Sequence, residues 1–261
     1  MTLRRSRLSL PGMLARPASA GILLLIFAVA LVGGRSTGLG ADAPALAPDQ
    51  DAPSGPARFE ADIETFRAWD RKNAVPADAV LFVGSSSIRL WQTAADFPDL
   101  PVINRGFGGS TITDVNHYVE DVALKYRPAV VVFYAGDNDI NGGASPAEVL
   151  EAYRTFVDRV LAVRADTRII FLPIKPSLAR WALWPSMREL NELVRTYGES
   201  AEPGPDGRPR LFYADIASPM LGPDGQPRPE LFVDDGLHLS EAGYALWNGV
   251  VRPVIDEARA R

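Results

Sequence analysis

Three apolar runs in this chain each stop abruptly at glycine and small polar residues. Ala79-Val80-Leu81-Phe82-Val83 runs into Gly84-Ser85-Ser86-Ser87. Pro101-Val102-Ile103-Asn104 runs into Arg105-Gly106-Phe107-Gly108-Gly109-Ser110-Thr111. Ala129 to Ala135, the most strand-like stretch, ends at Gly136-Asp137-Asn138-Asp139. Runs this short and this continuous read as strands buried on both faces, as in a parallel sheet. Arg168 to Leu172 and Leu211 to Asp215 supply a fourth and a fifth strand. Between them lie segments of helical character. Phe59, Ile63, Phe66 and Trp69 have helical spacing, which predicts a leading helix to Asn73. Further helices are predicted up to about Lys125, from Pro146 to about Arg164, over Met187–Tyr197, and from a Ser240 cap to about Ala260. Strands alternating with helices imply an α/β fold with one parallel sheet between two helical layers. In such sheets ligands bind beyond the carboxyl ends of the strands, where the strand order reverses. The three polar clusters therefore share one rim.

The 261 residues are 47% hydrophobic and 23% charged, a globular composition with ample core. There is no cysteine, which excludes disulfides, a thiolate nucleophile, cysteine-bound zinc and a lipidated cysteine anchor. Residues 1–40 differ in kind. Arg4, Arg5, Arg7 and Arg16 precede an uncharged apolar run over 21–34. A basic start with so short an apolar core reads as a secretory signal, or as an N-terminal membrane anchor if it is retained. The expected location is therefore periplasmic or extracellular. Residues 41–57, rich in Ala, Pro and Asp, read as a disordered linker before a domain over 58–261. Five of the 27 basic residues and none of the 32 acidic ones fall in 1–40, so the remainder carries a net charge of −10. That balance argues against nucleic acid and anionic lipid headgroups as partners. The sequence gives no reading of oligomeric state.

A serine nucleophile needs a base, and the chain has two histidines. His117 sits inside a predicted helix and reads as a surface residue. His238 follows Asp235 by three positions in a loop before the last helix, so the carboxylate can fix the ring's tautomer. Acyl transfer also needs donors for an oxyanion. Gly109 offers a backbone N–H unobstructed by a side chain, and Asn138 offers a neutral amide. Each feature alone is also a serine cap, a turn glycine or an asparagine turn.

Together and in order, Gly84-Ser85-Ser86-Ser87, Asn104-Arg105-Gly106-Phe107-Gly108-Gly109, Gly136-Asp137-Asn138 and Asp235-Gly236-Leu237-His238 resemble the four blocks of the SGNH hydrolases, or GDSL-like esterases and lipases. The pattern is most similar to the branch containing the platelet-activating-factor acetylhydrolase catalytic subunits. The resemblance implies a flavodoxin-like α/β/α sandwich with strand order 2-1-3-4-5. It implies Ser86 as nucleophile, His238 as base and Asp235 as its orienter, with Ser86 N–H, Gly109 N–H and the Asn138 side chain as the oxyanion hole. The family usually carries aspartate where Ser85 stands, which leaves Ser85 and Ser87 as flanking alternatives to Ser86. No cofactor and no metal is implied.

The expected reaction is hydrolysis of a short acyl ester, most simply acetyl, on a small molecule or a glycan. The alternatives are a lysophospholipase- or lipase-type esterase and a non-catalytic exported module that binds glycan or protein. Arg89, Trp91, Trp181 and Trp184 flank rim segments and are candidate substrate contacts. Two other patterns compete. Gly106-Phe107-Gly108-Gly109 has part of a dinucleotide fingerprint, without its third glycine spacing or an acid about 20 residues on. Asp137-x-Asp139-x-Asn141-Gly142-x5-Glu148 fits the calcium-loop pattern, but a strand precedes it where an EF-hand has a helix.

Overall fold

Strand periodicity produces the layers. A computed structural model describes residues 54–260, within a compact unit over Asp49–Arg261. Its sheet contains β1 (Val80–Gly84), β2 (Val102–Gly106), β3 (Val130–Tyr134), β4 (Arg168–Phe171) and β5 (Leu211–Tyr213). All pairings are parallel and the order is β2-β1-β3-β4-β5. This is the order the resemblance implies. Successive side chains point to opposite faces. Leu81, Val83, Val131, Phe133, Ile169 and Phe171 enter one core. Val80, Phe82, Val130, Val132, Tyr134 and Ile170 enter the other. The central strands β1 and β3 are buried on both faces, so they are apolar throughout rather than alternating.

The helices are α1 (Glu60–Asp70), α2 (Ser86–Arg89), α3 (Thr93–Asp96), α4 (Ile112–His117), α5 (Val119–Val122), α6 (Asp137–Asn141), α7 (Pro146–Val163), α8 (Trp184–Ser200) and α9 (Glu241–Arg259). Ile63 of α1, Val115 of α4, Val119 and Val122 of α5, Val149 to Val160 of α7 and Met187 to Val194 of α8 cover the first core. Ile88 beside β1 and Trp247, Val251 and Ile255 of α9 cover the second. The two start signals read from the sequence, Pro146 and Ser240, do open helices, and the structure adds a capping box at Ser145. The Ser145 hydroxyl accepts from Glu148 N–H while the Glu148 carboxylate accepts from Ser145 N–H, and Pro146 opens α7. The Ser240 hydroxyl accepts from Gly243 N–H to start α9.

Three expectations need correction. The helix expected to reach Lys125 breaks at Tyr118, whose hydroxyl is tied to the Pro56 carbonyl and Glu60, and continues as α5 and a 3-10 turn. Helix α8 starts three residues early, at Trp184, where Pro185 fits the first turn. The segment read as linker contains part of a 3-10 helix, Gly55–Phe59. Its last residue, Phe59, packs edge-on against Phe107, and Arg58 pairs with Asp114. The expected signal or anchor lies outside the described residues. No helix among the described residues is long and apolar enough to cross a membrane.

Register places the rim. Gly84 is level with Gly106 of β2 and Tyr134 of β3. The chain leaves β1 for β2 on one side and returns to β3 on the other, so the order reverses at β1. At the far side of the rim, α9 approaches the loop bearing Asp235 and His238. A Cβ on Gly243 would lie 2.3 Å from the Leu231 carbonyl oxygen, whereas one on Gly249 of the same helix meets nothing within 4 Å. Gly243→Ala should therefore cost about 1–3 kcal/mol by overpacking. Gly249→Ala should stabilise by about 0.5–1 kcal/mol, since alanine is the better helix former. Urea unfolding of the two variants checks this, and equal effects would contradict it.

Candidate active site

The serine turn hangs from β3. Gly84 has φ of +145°, and a Cβ there would lie 1.8 Å from the Tyr134 carbonyl oxygen, so only glycine fits. Ser85 N–H donates to that same carbonyl at 3.0 Å. Helix α2 starts at once, and this separates three adjacent hydroxyls. Ser85 is 1% exposed and its Oγ has no hydrogen-bond partner. Ser87 is 1% exposed and its Oγ accepts from the Lys175 ammonium at 3.1 Å. Ser86 is half-buried and opens to the rim.

His238 Nε2 lies 3.0 Å from Ser86 Oγ, and its Nδ1 lies 2.5 Å from Asp235 Oδ2. Asp235 Oδ1 accepts from the N–H groups of Leu237 and His238 at 2.8 and 2.9 Å. The hydrogen bond from the His238 ring, then that from its backbone N–H, holds the Asp235 carboxyl down at about 2. It is therefore ionised near neutrality and can keep the proton of a neutral His238 on Nδ1, leaving Nε2 as acceptor toward Ser86. The loop that carries the pair is closed by a bridge between Phe232 and Leu239 and by Val233 N–H donating to the His238 carbonyl. His117 is exposed at the end of α4, edge-on to Tyr118.

Gly109 is exposed with φ of +80°, and a Cβ built on it meets nothing within 4 Å. Among the described residues, neither Ser86 N–H nor Gly109 N–H has an acceptor. Asn138 is half-buried in the first turn of α6. Its Nδ2 donates to the Ser110 carbonyl at 2.9 Å, and its Oδ1 accepts from Arg180 Nη2 at 2.9 Å. The next residue strengthens the same junction. Asp139 accepts from Ile112 N–H through both carboxylate oxygens, at 3.0 and 3.2 Å. The loop after β2 is thereby tied to α6.

Beside His238 lies a cleft of about 650 Å³, whose walls include Leu90, Val233, Leu239 and Tyr244. The other candidate contacts fall in different places. Arg89 lies over Gly108, 2.9 Å from where its Cβ would be. Trp181 and Trp184 stack on each other at 6.0 Å, partly exposed, just after Arg180. Trp91 is a correction. It is 3% exposed within the second core, and its indole N–H donates to Asp96 and Asn248. The rings of Phe82, Phe97, Tyr244 and Trp247 pack around it, so it has almost no surface to offer a ligand at the catalytic rim. The sequence does not single out Arg180 or Lys175. Nor does it mark the apolar flank of Leu90, Leu178 and Val233, each more than two-fifths exposed.

The calcium pattern does not form a cage. Helix α6 points its residues apart: Asp137 pairs with Arg180 and Lys175, Asp139 with Ile112, and Glu148 caps α7. Among the described residues no group of three or more acidic or histidine side chains could hold a metal ion.

The model of the GDSL-like Lipase/Acylhydrolase family matches residues 84–246. This chain belongs to that family. As a member it is a carboxylic ester hydrolase. No curated protein matches the sequence. Solved structures share its fold. A GDSL-like lipase from Bacteroides thetaiotaomicron is 19% identical, with TM-score 0.64 over 76% of this chain and 98% of that one. A Streptococcus pneumonia protein named for platelet activating factor is 18% identical, with TM-score 0.66 over 75% and 92%. A mutant of an acetyl-xylooligosaccharide esterase from Geobacillus Stearmophilus is 16% identical, with TM-score 0.55 over 71% and 95%.

Asp139 gives this family member a pH signature. Burial raises its carboxyl from the ordinary 3.8 to about 6, against the Ile112 N–H bond that lowers it. The folded state then binds the proton more tightly than the unfolded chain, so stability falls as pH rises from about 4 to about 6. Asp139→Asn is neutral throughout. Its melting temperature relative to wild type should rise across pH 4–6 and level off above. A difference that is flat or falling over that interval would contradict this.

Proposed function

We propose that the protein hydrolyses short-chain esters through an acyl-enzyme on Ser86, with acetylated carbohydrate as the substrate class. The observation that carries the reading is the continuous hydrogen-bonded line from Asp235 through His238 to Ser86, the one hydroxyl of the three that is not buried. Ser86 Oγ attacks the ester carbonyl carbon as its proton passes to His238 Nε2. Asp235 stabilises the imidazolium. The carbonyl oxygen becomes an oxyanion facing Ser86 N–H, Gly109 N–H and the second Nδ2–H of Asn138. The C–O bond to the alcohol breaks as His238 returns the proton to the leaving oxygen. Water then attacks the acyl-enzyme by the same route, releasing the carboxylic acid and restoring Ser86.

Acetyl is far smaller than the 650 Å³ cleft, which supports a cleft occupied by the alcohol portion of the ester. Polar groups of Gln92, Asp96 and Asn248 line it beside the apolar ones, a mixture suited to a sugar. The esterase of acetylated xylo-oligosaccharides on the same fold supports this choice. The exposed Leu90, Leu178 and Val233 favour a second reading, an esterase for longer acyl chains. Export remains part of the proposal and rests on the basic and apolar pattern of residues 1–40.

Ser86→Ala should abolish turnover of p-nitrophenyl acetate, while Ser85→Ala, which removes an unpartnered hydroxyl, should leave it nearly intact. Asn138→Ala should lower kcat about 10²–10³-fold, the usual loss for one oxyanion donor. Activity that survives Ser86→Ala would sink the mechanism. Across p-nitrophenyl esters of two to twelve carbons, rates should peak at acetate; a peak at eight carbons or beyond would select the second reading. Release of acetate from acetylated xylan tests the sugar directly.

A further inference from the structure

Asn138 is gripped at both ends, and the two grips are chemically unequal. The Ser110 carbonyl can only accept, so it fixes Nδ2. The Arg180 guanidinium can only donate, so it fixes Oδ1. A flipped amide would set donor against donor and acceptor against acceptor. One Nδ2–H is committed to Ser110, and the other has no acceptor among the described residues.

Arg180 is itself held from behind. Its Nη1 lies 3.2 Å from Asp137 Oδ2, an ionic contact rather than an aligned hydrogen bond. The Lys175 ammonium lies 3.5 Å from the same oxygen and donates to Ser87 Oγ at 3.1 Å and to the Tyr134 hydroxyl at 3.0 Å. Lys175 is 1% exposed, and Asp137 is 4% exposed. Burial pushes the lysine ammonium's pKa down, while Asp137 opposes that shift. The chain of contacts runs Ser87–Lys175–Asp137–Arg180–Asn138, beneath the rim from the nucleophile turn to the amide. Burying so many charged groups costs stability unless each is paired. A loop staple could have been built from apolar residues at lower cost, so the charge needs a reason.

We propose that Arg180 is a positioning residue for ester hydrolysis, holding the Asn138 amide with its free Nδ2–H toward the oxyanion and polarising that donor with its permanent charge. This rests on the oxyanion role given to Asn138 above. The guanidinium withdraws electron density through Oδ1, which makes the Nδ2–H a stronger donor. The gain grows as negative charge develops on the substrate oxygen, so it acts on the transition state more than on the bound neutral ester.

The test is kinetic, on the full chain with p-nitrophenyl acetate. Arg180→Gln should lower kcat about 10- to 100-fold, the cost of a misplaced catalytic donor, with KM changed by less than about threefold. Arg180→Lys keeps the charge but not the fork, and should fall between Gln and wild type. In an Asn138→Ala background, Arg180→Gln should cost less than about threefold, because its effect passes through the missing amide. A trifluoromethyl ketone, which adds to the serine and places an oxyanion in the hole, should lose affinity in step with kcat. Inhibition by acetamide, which is neutral and places no negative charge in the hole, should change by less than about threefold.

Arg180→Gln at wild-type kcat, or a loss that multiplies undiminished onto Asn138→Ala, overturns the proposal. If Arg180→Gln does not fold, Arg180→Lys decides: wild-type kcat and wild-type trifluoromethyl ketone affinity overturn it. Failure of the underlying reading looks different. Asn138→Ala would then itself lose less than about threefold, or Ser86→Ala would stay active, whatever Arg180 does.

Discussion

The close approach of Gly84 to the Tyr134 carbonyl is the constraint on which the site depends. It lets β1 end flush against β3, and Ser85 N–H is paired to the same oxygen. Helix α2 must then begin at Ser86, with its first N–H unpaired and its hydroxyl outward. One backbone contact thus sets both the position of the proposed nucleophile and one of the donors proposed for the oxyanion. The same residue, Tyr134, sends its phenol under the turn to Lys175. The backbone of β3 fixes the serine from above and its side chain joins the charged layer below.

Sheet order does the rest of the assembly. Reversal at β1 leaves the loops after β1, β2 and β3 adjacent, and two side chains from α6 lock them. Asn138 reaches Ser110, and Asp139 reaches Ile112. A carboxylate buried at this junction destabilises the ionised fold, yet both of its oxygens are used on one N–H. Stability is lost where geometry is gained, as is common at functional sites. The histidine loop arrives separately, from the far end of the chain, and is held by the Phe232–Leu239 bridge and by the tight fit of Gly243.

Features with a local signature are legible in the amino-acid sequence. The apolar runs mark the strands to within two residues, because burial on both faces leaves little room for polar residues. The Pro146 helix start and the Ser240 cap are legible because such start signals are short-range. Register alone favours Ser86 over its neighbours, and burial of Ser85 and Ser87 gives that choice a physical basis. Trp91 misleads because an indole near a rim in sequence can turn inward, and only packing against Phe82, Phe97 and Trp247 says which way. Lys175 is hidden for the opposite reason. A lysine after Leu172-Pro173-Ile174 reads as the solvated end of a strand, yet it is buried by partners 38, 41 and 88 positions away, the first being Asp137. No spacing rule reaches that far.

The substrate question turns on two surfaces that meet at His238. One is the cleft toward α9, where Gln92, Asp96 and Asn248 offer hydrogen bonds at the foot of apolar walls. Two of those groups already serve the Trp91 indole, Asp96 and Asn248 each accepting from it, so their remaining lone pairs are oriented rather than free to wander. Fixed acceptors suit a ligand with hydroxyl donors in a set array, as a sugar has. The other surface is the outward flank of Leu90, Leu178 and Val233, of which Leu178 packs against Gly236 between the two members of the histidine pair. That contact packs the loop between Asp235 and His238, while the Asp235 side chain itself stays 47% exposed. Packing of the histidine loop gives Leu178 a role without a long-chain substrate, and the preoriented acceptors of the cleft carry the argument for carbohydrate.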